Sequence, residues 1–459
     1  MPRHFSLQEE VMSQTYVQLT ERAIFKSRYY KWYLIDTSRR ERERILIEGG
    51  AERVLLFLFE GNTIEVACAR FGLGRDDLEE FLRNLQNENV IAMSNIPVVS
   101  ATKCHEIEPP LDSVNVLLTN TCNLRCAHCY VSSGKPMTGE LDGGTWIRVL
   151  QEARRLGVFE LNVSGGEPTL HSDFVRIAEY IASVPTFNAN LNTNGVLLCP
   201  EHEDVIARAF TSIQVSLDDA VAEKHDAFRG CKGSFRRSIE TISRLVAREA
   251  EVNIGFTLTR ENLNALNGVV ELAEQLGATV LNIGLVANIG RANINALVQP
   301  IGPSSVPEDS FIERMYEKMK ELAVRSLRVR LLLPFRVPGN DALIEPREKR
   351  FICDGDNTQI LYIMANGSTM PCDKLPIESF SYGNIKEHSL LDLWTSQRMQ
   401  AFKLMGLRQL PKCRDCHYLD ICGGACVARA YQMGGSLKSP DWTSCMIAQK
   451  FSQDNTAQE

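Results

Sequence analysis

Three cysteines, Cys122, Cys126 and Cys129, fall within the run Cys122-Asn-Leu-Arg-Cys126-Ala-His-Cys129-Tyr130. The run follows Val114-Asn-Val-Leu-Leu118, a short strand-like stretch that ends in the turn-prone Thr119-Asn-Thr121. Three thiolates on one loop can hold three corners of an iron–sulfur cubane and leave the fourth iron open. Zinc is the alternative on spacing alone, with His128 as a fourth ligand. A second group runs from Cys353 through Cys372, Cys413, Cys416, Cys422 and Cys426 to Cys445. Its tight central pairs could equally close one tetrahedral zinc site. Cys68, Cys104, Cys199 and Cys231 have no ligand-like spacing and read as small, buried or half-buried residues.

Such sites need a folded scaffold in a reducing compartment. The chain has 459 residues, enough for two or three domains, with 44% hydrophobic and 23% charged residues. A formal charge of −7 gives no electrostatic footprint for nucleic acid. Residues 1–10 lack a signal-peptide pattern, and apolar runs such as Val54 to Phe59 are too short to span a bilayer. A cytoplasmic protein with no membrane partner is expected. Fourteen cysteines there point to metal or redox chemistry and away from disulfides.

Strand-like and helix-like segments alternate from about Val114 to Val329. Phe159-Glu-Leu-Asn-Val-Ser164 runs into Gly165-Gly166-Glu167-Pro168, where glycines permit close backbone approach to a ligand and Glu167 offers a carboxylate to an ammonium. The bland reading is a strand-to-helix turn with an incidental acid. Further strands are expected at Ala189–Asn194, Ser212–Asp218, Val252–Leu258 and Ala278–Leu285. Between the last two, Leu266, Val269, Val270, Ala273 and Leu276 have helical spacing. This order argues for a parallel sheet with crossover helices, shorter than a full eightfold barrel.

Cys-x-x-x-Cys-x-x-Cys followed by an aromatic, here Tyr130, resembles the signature of the radical S-adenosylmethionine (SAM) superfamily. The resemblance implies a 4Fe–4S cluster on Cys122, Cys126 and Cys129 whose open iron binds SAM and yields a 5′-deoxyadenosyl radical. Gly165, Gly166 and Glu167 then resemble the motif that holds the SAM amino group. Ser216 and Arg229 correspond to residues that hold its ribose or carboxylate, and Asn194 and Asp218 are further candidates, though each alone reads as a capping or loop residue. Leu285 falls where a strand end touches the adenine. The implied fold class is α/β, a partial (β/α)6 TIM-type barrel over residues 113–330.

After a bridging segment, 331–352, the seven-cysteine string from residue 353 to the end resembles the SPASM domain. By that resemblance Cys413, Cys416, Cys422 and Cys445 hold one auxiliary cluster, and Cys353, Cys372 and Cys426 hold another. Some relatives have a further cysteine where this chain has Gln359. Asp373 follows Cys372 and is the candidate catalytic acid–base, with a solvated or cluster-orienting carboxylate as the rival role.

Residues 1–14 read as a tail, and 15–99 as a small winged helix-turn-helix-like domain. Thr63 is a plausible N-cap, Gly72-Leu-Gly74 a turn, and Leu78, Phe81, Leu82 and Leu85 the apolar face of a second helix. That helix carries Asp76, Asp77, Glu79, Glu80 and Glu88 against Arg75 and Arg83, a poor face for phosphate. The segment loosely resembles PqqD-type domains, which bind a leader peptide as an added strand.

The expected function is maturation of a ribosomally made precursor peptide. The radical removes a hydrogen, and oxidation then closes a thioether or carbon–carbon cross-link, with a flavodoxin or ferredoxin as low-potential donor. The rivals are a formylglycine maturase of the sulfatase type, a tetrapyrrole or quinone cofactor maturation enzyme, and a zinc-bound helix-turn-helix regulator.

Overall fold

The computed structural model describes residues 15–21, 23–28, 31–36, 44–96, 104–105, 107, 110–287, 289–294, 309–335, 337, 359–403, 405, 410–422 and 426–456. Cys353 and the bridging segment from residue 338 lie outside the described residues. The chain divides into two compact units, one of residues 1–110 with 154–157, the other of the remainder.

The first unit begins with strands β1 (Tyr16–Leu19), β2 (Ala23–Arg28), β3 (Lys31–Asp36) and β4 (Arg44–Ile47). Helices α1 (Ala51–Phe59), α2 (Ile64–Phe71) and α3 (Arg75–Asn87) follow, then β5 (Ile91–Ser94) and β6 (Cys104–His105). Helix α2 starts where expected, because the Thr63 side chain accepts a bond from the Val66 N–H at 3.3 Å. Helix α3 buries Leu78, Leu82 and Leu85, a 3–4 spacing that keeps its acidic face outward. The four-stranded sheet β4-β3-β2-β6 and helix α1 did not figure in the sequence reading. Both pack into the same core, where Phe25 and Phe59 meet edge to face at 5.7 Å.

The second unit holds a nine-stranded sheet. Its parallel run is β7 (Ser113–Leu117), β8 (Glu160–Ser164), β9 (Asn188–Thr193), β10 (Ser212–Ser216), β11 (Val252–Leu258), β12 (Val280–Leu285) and β13 (Arg330–Leu332). Each successive pair is parallel and in sequence order, so the crossovers through α4 (Gly143–Arg155), α5 (Phe174–Ala182), α6 (Pro200–Ala209), α7 (Ala222–Arg229), α8 (Ser234–Ala247) and α9 (Leu266–Gln275) all run the same way. The fold is α/β, with the parallel strands of a partial barrel. Outward strand residues such as Val114, Val116, Leu161, Val163, Leu191 and Ile254 are buried beneath the helices.

Strand β14 (Ile360–Ile363), from the cysteine-rich region, pairs parallel with β7 and so lengthens the barrel sheet, and β15 (Thr369–Met370) turns back antiparallel on it. Residues preceding the C-terminal cysteines are thereby built into the barrel wall. The remaining helices used below are α10 (Arg291–Ile294), α11 (Asp309–Ala323), α12 (Ile377–Phe380), α13 (Leu390–Thr395), α14 (Gln397–Lys403), α15 (Leu419–Cys422), α16 (Val427–Gly434) and α17 (Trp442–Thr456). Among the described residues no helix is long and apolar enough to cross a membrane.

Candidate active site

The C-terminal ends of the barrel strands surround a cavity of about 540 Å³. This is the end where parallel barrels place their reactive loops. Cys122, Cys126 and Cys129 all line it, on the loop that leaves β7. Four neighbouring elements hold that loop. The Glu140 carboxylate accepts from Asn120 N–H at 2.7 Å and from the Thr119 hydroxyl at 2.8 Å. At the end of α7, the carbonyls of Phe228 and Arg229 accept from Ala127 N–H at 2.9 Å and Arg125 N–H at 3.1 Å. Arg291, on α10, donates through Nε to Cys126 O at 2.9 Å, through Nη1 to Ser133 O at 2.7 Å, and through its backbone to Cys129 O at 3.0 Å.

Gly165 and Gly166 form the fourth support, and here the structure changes the reason for two glycines. A Cβ on Gly165 would stand 2.5 Å from Thr119 O, and one on Gly166 would stand 2.3 Å from Thr121 O. The glycines line the cavity, but the backbone they admit is the cysteine loop itself, at a place where φ of Gly165 is +139°.

Each of the three sulfurs receives an N–H. Leu124 donates to Cys122 Sγ at 3.4 Å, Ser133 to Cys129 Sγ at 3.4 Å, and Arg229 Nη1 to Cys126 Sγ at 3.7 Å. Leu124, Cys126 and Val196 form an apolar patch against which Cys122, Cys129 and Cys231 pack. Burial pushes the Cys122 thiol up to about 11 and raises Cys126 as well. A cationic metal centre is what would ionise them. The His128 ring stacks on Phe228, with centroids 4.5 Å apart.

Two of the expected cofactor ligands are buried and bonded within the chain. Glu167 is 1% exposed, absent from the cavity lining, and its carboxylate accepts four bonds from its own chain. Oε1 accepts from the Thr169 hydroxyl (2.8 Å), Thr169 N–H (3.3 Å) and the Thr193 hydroxyl (2.8 Å), while Oε2 accepts from Asn194 N–H (2.8 Å). It ties the end of β8 to the end of β9, and burial raises its pKa. Asp218 is likewise off the cavity. Its Oδ1 accepts from Thr257 N–H at 2.8 Å and its Oδ2 pairs with Arg229 Nη2 at 2.5 Å. Burial opposes the Arg229 charge, but Asp218 and then Cys126 hold its pKa above the ordinary value.

Asn194, Ser216, Arg229, Leu285 and Tyr130 do line the cavity. Asn194 Nδ2 donates to Asn123 of the cysteine loop at 2.9 Å and its Oδ1 accepts from Val196 N–H at 2.9 Å, so it also positions the loop. Among the described residues, Arg229 Nε and Arg291 Nη2 are buried without a partner. Two unpaired guanidinium N–H groups beside three thiols fit the carboxylate of a bound SAM. Arg291 was not found in the sequence; Gly290-Arg291 after the last long strand was the only signal.

Asp373 also reaches the cavity, and its Oδ2 accepts from the Tyr130 hydroxyl at 2.7 Å. Burial, then the Asp373 charge, pushes the Tyr130 phenol well up. One hydrogen bond thus joins the neighbour of Cys129 to the neighbour of Cys372. Cys372 sits on a turn fixed by Lys403 of α14, whose ammonium donates to Pro371 O at 3.0 Å and Ile360 O at 2.7 Å.

The other described C-terminal cysteines lie on or beside α15, α16 and α17. Burial, then the charges of Cys422, Asp441, Cys413 and Cys416, pushes the Cys445 thiol up to about 12. Cys372 and Cys426 pack on a shared apolar cluster that Cys413 also touches. Asp441, just before α17, ties that helix to α16, accepting a bidentate pair from Arg429 at 2.5 to 2.9 Å and the Cys426 N–H at 3.1 Å.

Comparison with known proteins gives the same outline. Residues 116–273 match the family model of the radical SAM superfamily, and 353–417 match that of the SPASM iron–sulfur cluster-binding domain. The AdoMet-dependent heme synthase of Methanosarcina barkeri is 30% identical over 75% of this chain and 95% of its own. The PqqA peptide cyclase of Methylocella silvestris is 27% identical over 71% of this chain and 84% of its own. Among solved structures, Streptococcus suis SuiB bound to precursor peptide SuiA shares the fold at a TM-score of 0.70. That likeness covers 94% of this chain and 99% of the other, at 16% identity.

Proposed function

Since this chain belongs to the radical SAM superfamily, we propose that its substrate is a ribosomally made precursor peptide and that it closes a thioether or carbon–carbon cross-link in it. Its cofactors are a 4Fe–4S cluster, SAM and auxiliary iron–sulfur clusters. When bound, these supply a 5′-deoxyadenosyl radical that removes a carbon-bound hydrogen, and an acceptor for the electron left on the substrate.

In this reading the chain's own residues ligate, orient and exclude water. Cys122, Cys126 and Cys129 hold the first cluster, each sulfur steadied by one N–H. Arg229 and Arg291 take the SAM carboxylate through the N–H groups that lack partners, and Ser216 and Leu285 bound the same cofactor on the strand ends. Glu167 and Asp218 act through others, the first by joining β8 to β9 and the second by aiming Arg229. Cys413, Cys416, Cys422 and Cys445 hold one auxiliary cluster, and Cys372 and Cys426 part of another.

The observation that carries the oxidative step is the bond between Tyr130 and Asp373. It puts residues adjacent to both cysteine groups on one cavity wall, so hydrogen removal and electron removal serve one chamber. Asp373 is placed to take the proton that the oxidised substrate releases.

The peptide is favoured by the cyclase relative and by the extent of the fold likeness to SuiB, 94% of this chain, which takes in the N-terminal unit. A PqqD-like peptide-recognition role for residues 15–99 belongs to this reading. So do a cytoplasmic location and a flavodoxin or ferredoxin as donor. The heme synthase, matched over 75% of this chain, favours a second reading, heme formation.

The test is mass spectrometry of the short peptide encoded beside this gene, after anaerobic incubation with the cluster-loaded enzyme, SAM and a reductant. A loss of two hydrogens that disappears in a Cys126→Ala variant is expected. An unchanged mass together with no deuterium uptake from heavy water refutes the peptide reading.

A further inference from the structure

The barrel interior below the cysteine loop is built from neutral amides. Along one tier, Asn162 Nδ2 donates to Asn115 Oδ1 at 2.7 Å and its Oδ1 accepts from Asn190 at 3.2 Å. Along the next, Gln214 Nε2 donates to Asn192 Oδ1 at 2.9 Å, and Asn282 Nδ2 donates to Gln214 Oε1 at 3.0 Å. Gln214 reaches Asn282 by crossing over β11 at Gly255, where a Cβ would lie 2.8 Å from its Nε2. Parallel barrels ordinarily fill such positions with Val, Ile and Leu. An amide there costs stability unless it is paired, so two hydrogen-bonded tiers drawn from five strands are a specific construction.

Two further facts give it a direction. Asn115, Asn162, Asn192, Gln214 and Asn282 all face the cavity, and no strand residue lining it carries a charge. The charged liners, Arg229, Arg291, Asp373 and Lys374, come from α7, α10 and the loop after β15, at the rim. Among the described residues, the Nδ2 groups of Asn115 and Asn192 and the Oδ1 of Asn282 have no partner in the ladder. The floor therefore presents donors and an acceptor, at fixed spacing, with no charge.

We propose that this amide ladder is a peptide-backbone subsite, which holds the reacting segment of the substrate in an extended form through its own N–H and C=O groups. A side-chain amide carries the same donor and acceptor as a peptide group, so it matches a backbone whatever the side chains are. Its strong N–H bonds also give no hydrogen to a carbon radical formed beside it. A substrate rich in carboxylates, such as a porphyrin, would find no cation on these strands. The inference rests on the peptide reading and adds what the barrel recognises: backbone geometry, not a charged or aromatic side chain.

The experiment uses the full-length, cluster-loaded enzyme and synthetic copies of the neighbouring-gene peptide in which single backbone amides become esters. An ester removes one N–H and weakens one acceptor without changing a side chain. Esters at the modified residue and its immediate neighbours should lower kcat/KM about fivefold to tenfold, the range of one lost hydrogen bond. Esters elsewhere in the core segment should change it less than twofold. In an Asn282→Leu variant that melts cooperatively, the penalty of the ester at the N–H facing Asn282 Oδ1 should shrink to within twofold, because that acceptor is already gone. Wild-type enzyme that modifies the unsubstituted peptide and tolerates every ester overturns the ladder inference alone. Wild-type enzyme that leaves the unsubstituted peptide unchanged overturns the peptide reading and the inference with it.

Discussion

Replacing Asp218 by Asn should destabilise the cluster-free protein by about 3 to 4 kcal/mol. Asn keeps an oxygen for the Thr257 N–H and nearly the same volume, so the change is confined to the charge facing Arg229. That guanidinium is buried, with 8% of its side chain exposed, and the Asp218 side chain is fully buried. At an effective dielectric of about 20 and a charge separation of about 4 Å, the pair is worth roughly 4 kcal/mol. Removing one member of a buried pair costs about 3 to 5 kcal/mol by comparison with other proteins. Cys126 is the other candidate anion near Arg229, but burial raises its pKa and keeps it protonated without a metal. Urea denaturation of reduced, cluster-free protein, followed through the fully buried Trp146, measures the loss. The double variant Asp218→Asn, Arg229→Met should recover at least half of it, since no charge is then left unpaired. A single-variant loss below about 1 kcal/mol, or a double variant no better than the single, would refute the reasoning.

Gly166→Ala should keep the cysteine loop from its place, because the new Cβ meets the Thr121 carbonyl, a backbone atom that cannot swing aside. Iron bound per chain is expected to fall by about four, one cubane; iron and sulfide analysis reading as in the wild type would contradict this. His225 supplies a pH dependence. Burial, then the Arg229 charge, lowers its pKa to about 4, and its Nδ1 accepts from Asp218 N–H at 3.3 Å. The folded pKa lies below the unfolded value of about 6.5, so this contribution is complete above pH 6.5 and lost as pH falls toward 4. Between pH 7 and 5 it should account for about 2 kcal/mol of unfolding free energy. A His225→Phe variant should flatten the profile by that amount, and equal slopes for variant and wild type would count against it.

The barrel was legible because parallel strands covered by helices write their pattern locally. The runs at 252–258 and 278–285, and the Leu266 to Ala273 spacing between them, need only neighbours in sequence. The cysteine loop was legible for a related reason, since one loop carries all three thiols. Strand β14 was not, because its place beside β7 depends on a pairing across more than two hundred residues, which no local period records. The sheet of the N-terminal unit was missed because its strands are short and set by antiparallel partners.

Residue types at the strand ends therefore determined what chemistry the chain could hold: three thiols on one loop, a glycine pair, an arginine after a helix. The tertiary structure decided which of them face the substrate. Glu167 and Asp218 have the charge to bind a cofactor, yet each is buried, off the cavity lining and already accepting from other parts of the chain. Arg291, unmarked in the sequence, became a clamp because α10 sets it over the carbonyls of Cys126 and Ser133. Asparagines that look like ordinary strand residues one at a time became a continuous polar floor only when parallel register placed Asn115, Asn162 and Asn190 side by side. Sequence specifies which groups are available; burial, hydrogen bonding and register, which depend on distant strands, decide which remain free to act.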